Sequence, residues 1–253
     1  MSGTLFSLQG YLRTAPILAD GSIGALRWLG NVPEATLALE NQATDKNESF
    51  SGQRLQIGRL DTGKTASFNY TMDYWSPANL ALAFNATEQD IATGSVTGEA
   101  FPDDLVAGDL VRLAHPFASA LAITDSAGTP ATVPAVNAAL DSTSHSQNVV
   151  SIIDPGAFVQ PFKAAYTYAA AKNLVLFTKI GAAVYLQFDG INTETGAPVV
   201  LELWKVRHNP IASLALINEA YGNLPMTSAV LFDQTKMADA QLGGFGRMLM
   251  KAA

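Results

Sequence analysis

The alternation of apolar and polar residues predicts a β-hairpin over residues 173–210. Its first strand covers residues 174–189, with a bend near Gly181, and its second strand covers residues 199–207. Both strands carry apolar residues on much of both faces, whereas a sheet with one face in water shows a clean polar row on that face. The pattern therefore predicts that the second face is partly covered, and we expect another protein chain to cover it.

A strand over residues 65–75 has the clearest alternation in the sequence. Its apolar side chains share one face, and the other face is polar, with Thr65, Ser67, Asn69, Thr71 and Asp73. A shorter strand over residues 35–40 alternates in the same way. A polar row of this kind lines either a water-filled channel or an ordinary solvent-facing sheet, and the alternation does not distinguish the two.

One short helix is predicted directly after this strand. Ser76 stands at the N-cap position, Pro77 stands at the first helical position, and alanines and leucines follow as far as Phe84. Weaker strand patterns cover residues 109–113, 120–124, 149–153, 164–168 and 224–232. One helix among many strands predicts a mainly β fold.

Residues 41–63 have no clear period, and three other segments have weak or mixed patterns. We interpret residues 1–31 as an extended N-terminal arm, residues 41–63 as a long inter-strand loop, residues 101–160 as a possible β elaboration and residues 243–253 as a flexible C-terminal tail. A stretch of more than about 20 residues without a period is uncommon in a compact domain and usually marks function or disorder. No linker rich in proline, serine or charge divides the chain, so we predict a single domain over residues 1–253.

Composition narrows the possible functions. The chain has 15 Lys and Arg against 22 Asp and Glu, a net charge of -7. Proteins that bind DNA tightly by neutralising phosphates need a basic stripe, so tight DNA binding is not predicted. The absence of cysteine excludes disulfides, thiolate metal sites and cysteine nucleophiles. The first residues lack the pattern of a secretory leader, and no apolar run approaches the roughly 20 residues of a membrane span. We therefore expect the chain to remain in the cytosol after synthesis.

Residues 58–65 spell G-x-x-x-x-G-K-T, the literal pattern of a phosphate-binding loop. That loop requires a helix that begins at the lysine, whereas Lys64 opens the alternating strand. We therefore predict no nucleotide binding. His115, His145 and His208 lie too far apart for a local metal-binding motif, and each is predicted to be a surface or turn residue. No catalytic residue, metal or cofactor is assigned, and the chain is not predicted to be an enzyme.

Four segments carry a further, combined pattern. The first is the hairpin, with QFDGIN at residues 187–192, GAPVVLELWKV at residues 196–206 and Asn-Pro at residues 209–210. The other segments are LGNVP at residues 29–33, SGQRL at residues 51–55 and LFD at residues 231–233. Together they resemble the tail tube proteins of bacteriophages, and the resemblance is weaker over residues 101–160.

The resemblance implies a β-sandwich or half-barrel flanked by one short helix. In that family six copies pair their strand edges, so that the inner sheets close into one β-barrel, and the rings stack head to tail into a hollow tube. It also implies a major tail protein of the virion, assembled in the host cytoplasm with tape measure, terminator and distal tail proteins as partners. DNA would pass through an acidic lumen without specific binding during ejection.

The resemblance also implies two sets of site residues. The long loop is the expected contact between stacked rings, through Thr44, Asp45, Lys46, Asn47, Glu48, Arg54 and Arg59. The expected lumen-facing residues are Thr36, Glu40, Ser67, Asn69, Thr71, Asp73, Gln187, Asp189 and Glu202. The alternative for the loop is an ordinary mobile surface segment.

Two other classes of function remain open at this point. A related tail-ring or secretion-tube component would share the fold but stop at a single ring. A monomeric β-rich binding module, for example for carbohydrate, would remain a monomer and present a ligand groove. Microscopy of the purified protein distinguishes tubes, rings and monomers.

Overall fold

The computed structural model describes residues 5–251 of the chain. The protein is mainly β, with 48% of residues in strands, 3% in helix and a curled half-barrel sheet, which confirms the predicted fold class. The described residues form two compact units: unit 1 combines residues up to 88 with those from 174 onwards, and unit 2 comprises residues 89–173. The predicted elaboration at residues 101–160 lies entirely within unit 2.

The elements follow each other along the chain without long helical interruptions. In order they are β1 Leu8–Pro16, β2 Arg27–Trp28, β3 Glu34–Asn47, β4 Gln56–Met72, α1 Pro77–Ala83, β5 Thr87–Ile91, β6 Gly94–Ala100, β7 Leu110–Arg112, β8 Ala118–Thr124, β9 Thr132–Val133, β10 Ala138–Leu140, β11 Val149–Ile152, β12 Lys163–Tyr168, β13 Ala171–Val175, β14 Ala183–Asn192, β15 Pro198–His208, β16 Leu224–Met226, β17 Ser228–Val230 and β18 Gly246–Met250.

Unit 1 is built on a nine-stranded antiparallel sheet. Its main strand order is β16-β4-β17-β15-β14-β1-β2, with β3 paired to β4 and β18 paired to β15. One side of this sheet, the core face, buries Leu12, Met72, Leu186 and Val206. Helix α1 packs against that core and begins as predicted, with Pro77 at its start and the Ser76 hydroxyl accepting the Asn79 amide.

The opposite side of the sheet is called the second face. Directly paired residues of antiparallel strands share a face, so Phe68 and Leu37 belong to the core face, and their neighbours Asn69 and Thr36 belong to the second face. A register shift in the β14–β15 ladder changes the alternation beside Tyr185. That irregularity helps to explain why the hairpin sequence shows apolar residues on both sides.

The prediction of an N-terminal arm is wrong for residues 8–16, which form a strand of the sheet. Strand β1 pairs with β14 from Leu8 opposite Asn192 to Pro16 opposite Val184, and Leu12 is buried in the core. The partner strand lies far along the sequence, so no local pattern indicates the pairing. Residues 1–4 of the predicted arm lie outside the described part.

The C-terminal tail is also more ordered than predicted. Strand β18 pairs with β15 from Gly246 opposite Leu203 to Met250 opposite Val199. The glycines at residues 243, 244 and 246 suggested flexibility, but Gly246 is required by close packing, because an added Cβ would meet the Glu202 carbonyl oxygen at 2.2 Å. Residues 252–253 lie outside the described part.

The segment at residues 41–63 is mostly strand instead of the predicted loop. Strand β3 continues to Asn47 and β4 begins at Gln56, so only residues 48–55 connect them. Two register shifts, at Gln42/Ala43 and Lys46/Asn47, interrupt the pairing. These shifts, together with water on both faces, remove the alternation on which strand prediction relies.

Unit 2 has its own core between two small sheets, with strand orders β6-β12-β8-β9 and β10-β11-β7. Phe162, Leu113, Val150 and Ile152 are fully buried there. The weak strand patterns predicted in this region are present as β7, β8, β11 and β12. Strands β5 and β13, along which the chain enters and leaves this unit, pair with each other.

Candidate interaction surfaces

The distal part of the β3–β4 ladder, residues 41–63, forms a two-stranded hairpin with both faces largely in water, called the projecting hairpin. Its apolar side chains are exposed, from 56% for Leu55 to 85% for Phe50, with Ile57 and Leu60 between them. An isolated two-stranded hairpin is marginally stable in water, and exposed apolar groups of this size mark interaction sites when they cluster. The projecting hairpin is therefore the first candidate interaction surface.

The turn of the projecting hairpin is organised by the Glu48 carboxylate. This carboxylate accepts the backbone N–H groups of Phe50 and Ser51 at 2.8 Å and of Leu55 at 3.3 Å, and it also accepts the Ser51 hydroxyl. These hydrogen bonds, chiefly the one from the Ser51 hydroxyl, lower the pKa of Glu48 to about 2. The carboxylate thus holds the turn that presents the exposed Phe50 ring.

The seven residues predicted for ring stacking all lie in this hairpin. Six have exposed positions, among them Arg59, which lies opposite Asp45 in the ladder, and Arg54, which has a φ of 52° in the turn. Glu48 differs because it is buried and its carboxylate accepts hydrogen bonds from within the turn. The predicted set does not include the four exposed apolar residues, although apolar residues within an otherwise polar segment are a signal of a contact surface.

Eight of the nine residues predicted to face a lumen share the second face of the unit 1 sheet. The ladder pairs Thr36 with Asn69 and Gln187 with Glu202, and the alternation adds the other members. These eight are Thr36, Glu40, Ser67, Asn69, Thr71, Gln187, Asp189 and Glu202. Asp73 differs because it follows the end of β4, where its carboxylate accepts the Asn31 side-chain amide at 2.7 Å.

Two acids of the second face are paired with arginines of the same chain. Arg13 donates to Asp189 at 2.7 Å, and Arg247 donates to Glu202 at 2.6 Å. The Tyr185 hydroxyl also donates to Glu202 at 2.6 Å, and burial together with this carboxylate raises the pKa of Tyr185. The part of the second face over β14 and β15 is therefore less acidic than its carboxylates alone indicate.

Part of the second face is covered by the chain's own C-terminal segment. The Trp204 indole donates to the backbone oxygens of Leu242 at 3.2 Å and Gly243 at 3.0 Å, and Tyr185 stacks beside it at 6.1 Å. The chain itself therefore covers Trp204 and Tyr185, and cover by another chain stays a prediction for the rest of the second face. Over β3, β4 and β17 the second face remains open as a hollow of about 400 Å³, lined by Glu40, Ser67 and other residues.

The two ends of the strand order have backbone edges without a neighbouring strand in residues 5–251. At one end, β3 pairs only with β4 along its 14 residues. At the other end, β2 covers β1 only at Arg13 and Thr14, which leaves the outer edge of Leu8 to Tyr11 open. Open edges of this kind are ready to pair with another strand.

The structure places the phosphate-loop pattern in a strand and one of the three histidines in the core. Residues 58–65 lie inside strand β4, so the phosphate-loop pattern has no helix at Lys64. His208 is buried instead of lying at the surface, and burial, assisted by the charge of Arg27, lowers its pKa to about 4. Within the described residues, no group of three or more histidines and acids could hold a metal ion.

A family model matches residues 5–249, nearly the whole chain. The chain belongs to the family described as protein of unknown function UCP028589. Comparison with curated proteins finds no match. The part of the chain that the structure describes contains no helix with the length and apolar character of a membrane span.

Proposed function

We propose that this protein is a bacteriophage tail tube protein, a structural component that builds a hollow tube from stacked rings. The proposal joins the resemblance of the four sequence segments to the surfaces of unit 1. Each copy would pair with two neighbours in a ring of six, and rings would stack into a filament in the virion tail. The protein would then act by assembly and not by catalysis.

The observation that carries the proposal is the pair of open edges at the two ends of the unit 1 strand order. Because the edges differ, pairing β3 of one copy with the β1 edge of another makes a heterologous contact, which closes into a ring if the rotation fits. Closure would cover the open part of β1 and the part of β3 that pairs with it, which reduces the aggregation hazard of open strands. The curled form of the sheet supports closure into a larger barrel.

The projecting hairpin supplies the contact between rings in this proposal. It extends beyond the part of the sheet that the core stabilises, and its apolar residues have no cover within the described chain. Burying apolar surface stabilises a contact by about 25 cal/mol per Å². A neighbouring ring would provide that cover.

The second face would line the lumen. Since Asp189 and Glu202 are paired with arginines, repulsion of DNA would depend mainly on Glu40, the remaining acid of the predicted second-face residues. Replacing Glu40 by lysine should leave assembly intact and reduce DNA delivery, because the lumen would then attract phosphates. Normal delivery by such tubes would show that lumen charge is not important.

Negative-stain microscopy of the purified protein tests the proposal. We expect long tubes from the wild type, isolated rings from a Phe50→Ser/Ile57→Ser variant, and no rings from Leu39→Lys, which adds a charge beside the open β3 edge. Val136→Ser is the matched control, since Val136 is 73% exposed in unit 2, and it should form tubes.

Three results would contradict the proposal in different ways. A wild type that remains a 26.7 kDa monomer at every concentration would exclude a tube and favour a binding module. Wild-type rings that never stack would favour a related tail-ring or secretion-tube component. Tubes from Leu39→Lys would show that β3 is not the edge that pairs.

A further inference from the structure

Two segments at the end of the unit 1 sheet opposite the projecting hairpin also carry exposed apolar residues. Strands β4 and β15 run in the same direction, because each is antiparallel to β17. The hairpin turn precedes β4, so Met72 and His208 mark the far end of the sheet. Residues 176–182 lead into β14 at this far end, and residues 209–223 leave β15 and return to β16 there.

The two segments are tied to the end of helix α1. The Phe177 amide donates to the Phe84 oxygen at 3.3 Å, and the Ile211 amide donates to the Ala83 oxygen at 2.7 Å. While Ile211 packs on the core, six apolar residues of these segments point into water. We call them the end patch: Leu176, Phe177, Ile180, Leu216, Ile217 and Tyr221.

The exposure of the end patch is unusual for apolar side chains. Ile217 is 98% exposed, and Tyr221 is 102% exposed relative to the reference residue. Neither side chain therefore gains any stabilisation from burial in the single chain. A contact that covers both would stabilise a complex without weakening the core.

The apolar areas of the two surfaces suit a specific interface. A fully exposed aromatic side chain presents about 200 Å² and an aliphatic one about 100 Å². Weighted by the exposed fraction of each side chain, the end patch and the four hairpin residues together expose roughly 1,000 Å². Specific protein interfaces begin at about 1,000 Å² of total buried area. Apolar contact alone reaches that limit before any polar atoms are counted.

We infer that the end patch is the receptor for the projecting hairpin of a second copy of this chain. The two surfaces lie at opposite ends of the same strands, so their contact is heterologous and can repeat along one direction. The inference rests on the proposed function in one respect, which is that copies stack. It adds the receptor: Phe50, Leu55, Ile57 and Leu60 of one copy cover the end patch of the next.

Disulfide cross-linking tests the inference directly, because the chain has no native cysteine. A tagged Ile57→Cys protein is mixed with an untagged Ile217→Cys protein under mild oxidation. We expect a mixed dimer, identified by its size, at least tenfold more abundant than in the control mixture of Ile57→Cys with Val136→Cys. Val136 provides the control because it is exposed but lies in unit 2.

A second measurement uses charge in place of cross-linking. The Ile217→Asp/Tyr221→Asp variant should retain rings and lose tubes, as the hairpin variant does, because a charged patch cannot bury an apolar tip. Both positions are exposed, so these substitutions leave the core unchanged. Circular dichroism confirms that the variant is folded before microscopy.

The possible results separate the inference from the proposed function. Tubes without the mixed disulfide, or tubes from the Asp variant, would overturn the receptor assignment and leave the tube proposal intact. A wild type that never assembles would overturn both. The mixed disulfide together with loss of tubes in the Asp variant supports both.

Discussion

The two units have separate cores, so a cavity in one should destabilise that unit alone. Phe162 is fully buried among the apolar side chains of unit 2. Its backbone carbonyl oxygen accepts the Phe101 backbone N–H at 2.8 Å. Replacing a buried phenylalanine by alanine costs about 3–5 kcal/mol. Unit 2 has 85 residues, from 89 to 173, and for a domain of that size 1 kcal/mol shifts the midpoint by about 4–8 °C. We therefore expect Phe162→Ala to lower the unfolding midpoint of unit 2 by at least about 12 °C.

Hydrogen exchange followed by mass spectrometry measures this effect for each unit separately. In Phe162→Ala, peptides from unit 2 should lose protection while peptides from β14 and β15 keep theirs. Leu186→Ala is the matched control, because Leu186 is fully buried in unit 1 and the substitution costs about 2–5 kcal/mol there. Equal loss of protection in both units of Phe162→Ala would refute the reasoning, since it would show one shared cooperative core.

Three further predictions concern single polar residues of unit 1. Glu48→Gln should speed hydrogen exchange in the turn at residues 48–55. Because the pKa of Glu48 in the folded protein is lowered from 4.5 to about 2, the wild-type turn should also exchange faster as pH falls from 4.5 to 2. A turn unaffected by either change would contradict the role of the carboxylate. Burial lowers the pKa of His208 from 6.5 to about 4, so the free energy of unfolding measured with urea should fall by on the order of 3 kcal/mol between pH 6.5 and pH 4. His208→Phe should lack this pH dependence, and the same dependence in the variant would refute the role of His208. Glu202→Gln should weaken the docking of β18 by about 2 kcal/mol, because it removes the charge that Arg247 contacts at 2.6 Å, and unchanged exchange in β18 would contradict this.

Local patterns predicted the elements whose causes are local. Ser76 and Pro77 start helix α1 as the capping rules require, and the alternation over residues 65–72 follows burial on the core face and water on the other. The β14–β15 hairpin was predicted because its strands are close in sequence. These elements account for the mainly β class.

The missed features have causes that no local pattern contains. Strand β1 depends on a partner about 180 residues away, and most of residues 41–63 form strands with water on both sides. The cover over Trp204 comes from residues near Leu242, which carry no signal of where they dock. The predicted second-face set was found because period 2 places residues on one face, whereas the ion pairs of Asp189 and Glu202 depend on Arg13 and Arg247 from distant strands.

The order of the strands along the chain also affects how the protein folds during translation. Ser7 and its partner Asn192 are separated by 185 positions, so the first strand emerges from the ribosome long before β14 exists. Unit 2 is continuous in sequence and can complete its core during that delay. Strands β1, β3 and β4 keep unpaired edges and exposed apolar side chains until the later strands are synthesised. The yield of protein in cells should therefore depend on chaperones that protect the unfinished sheet during translation.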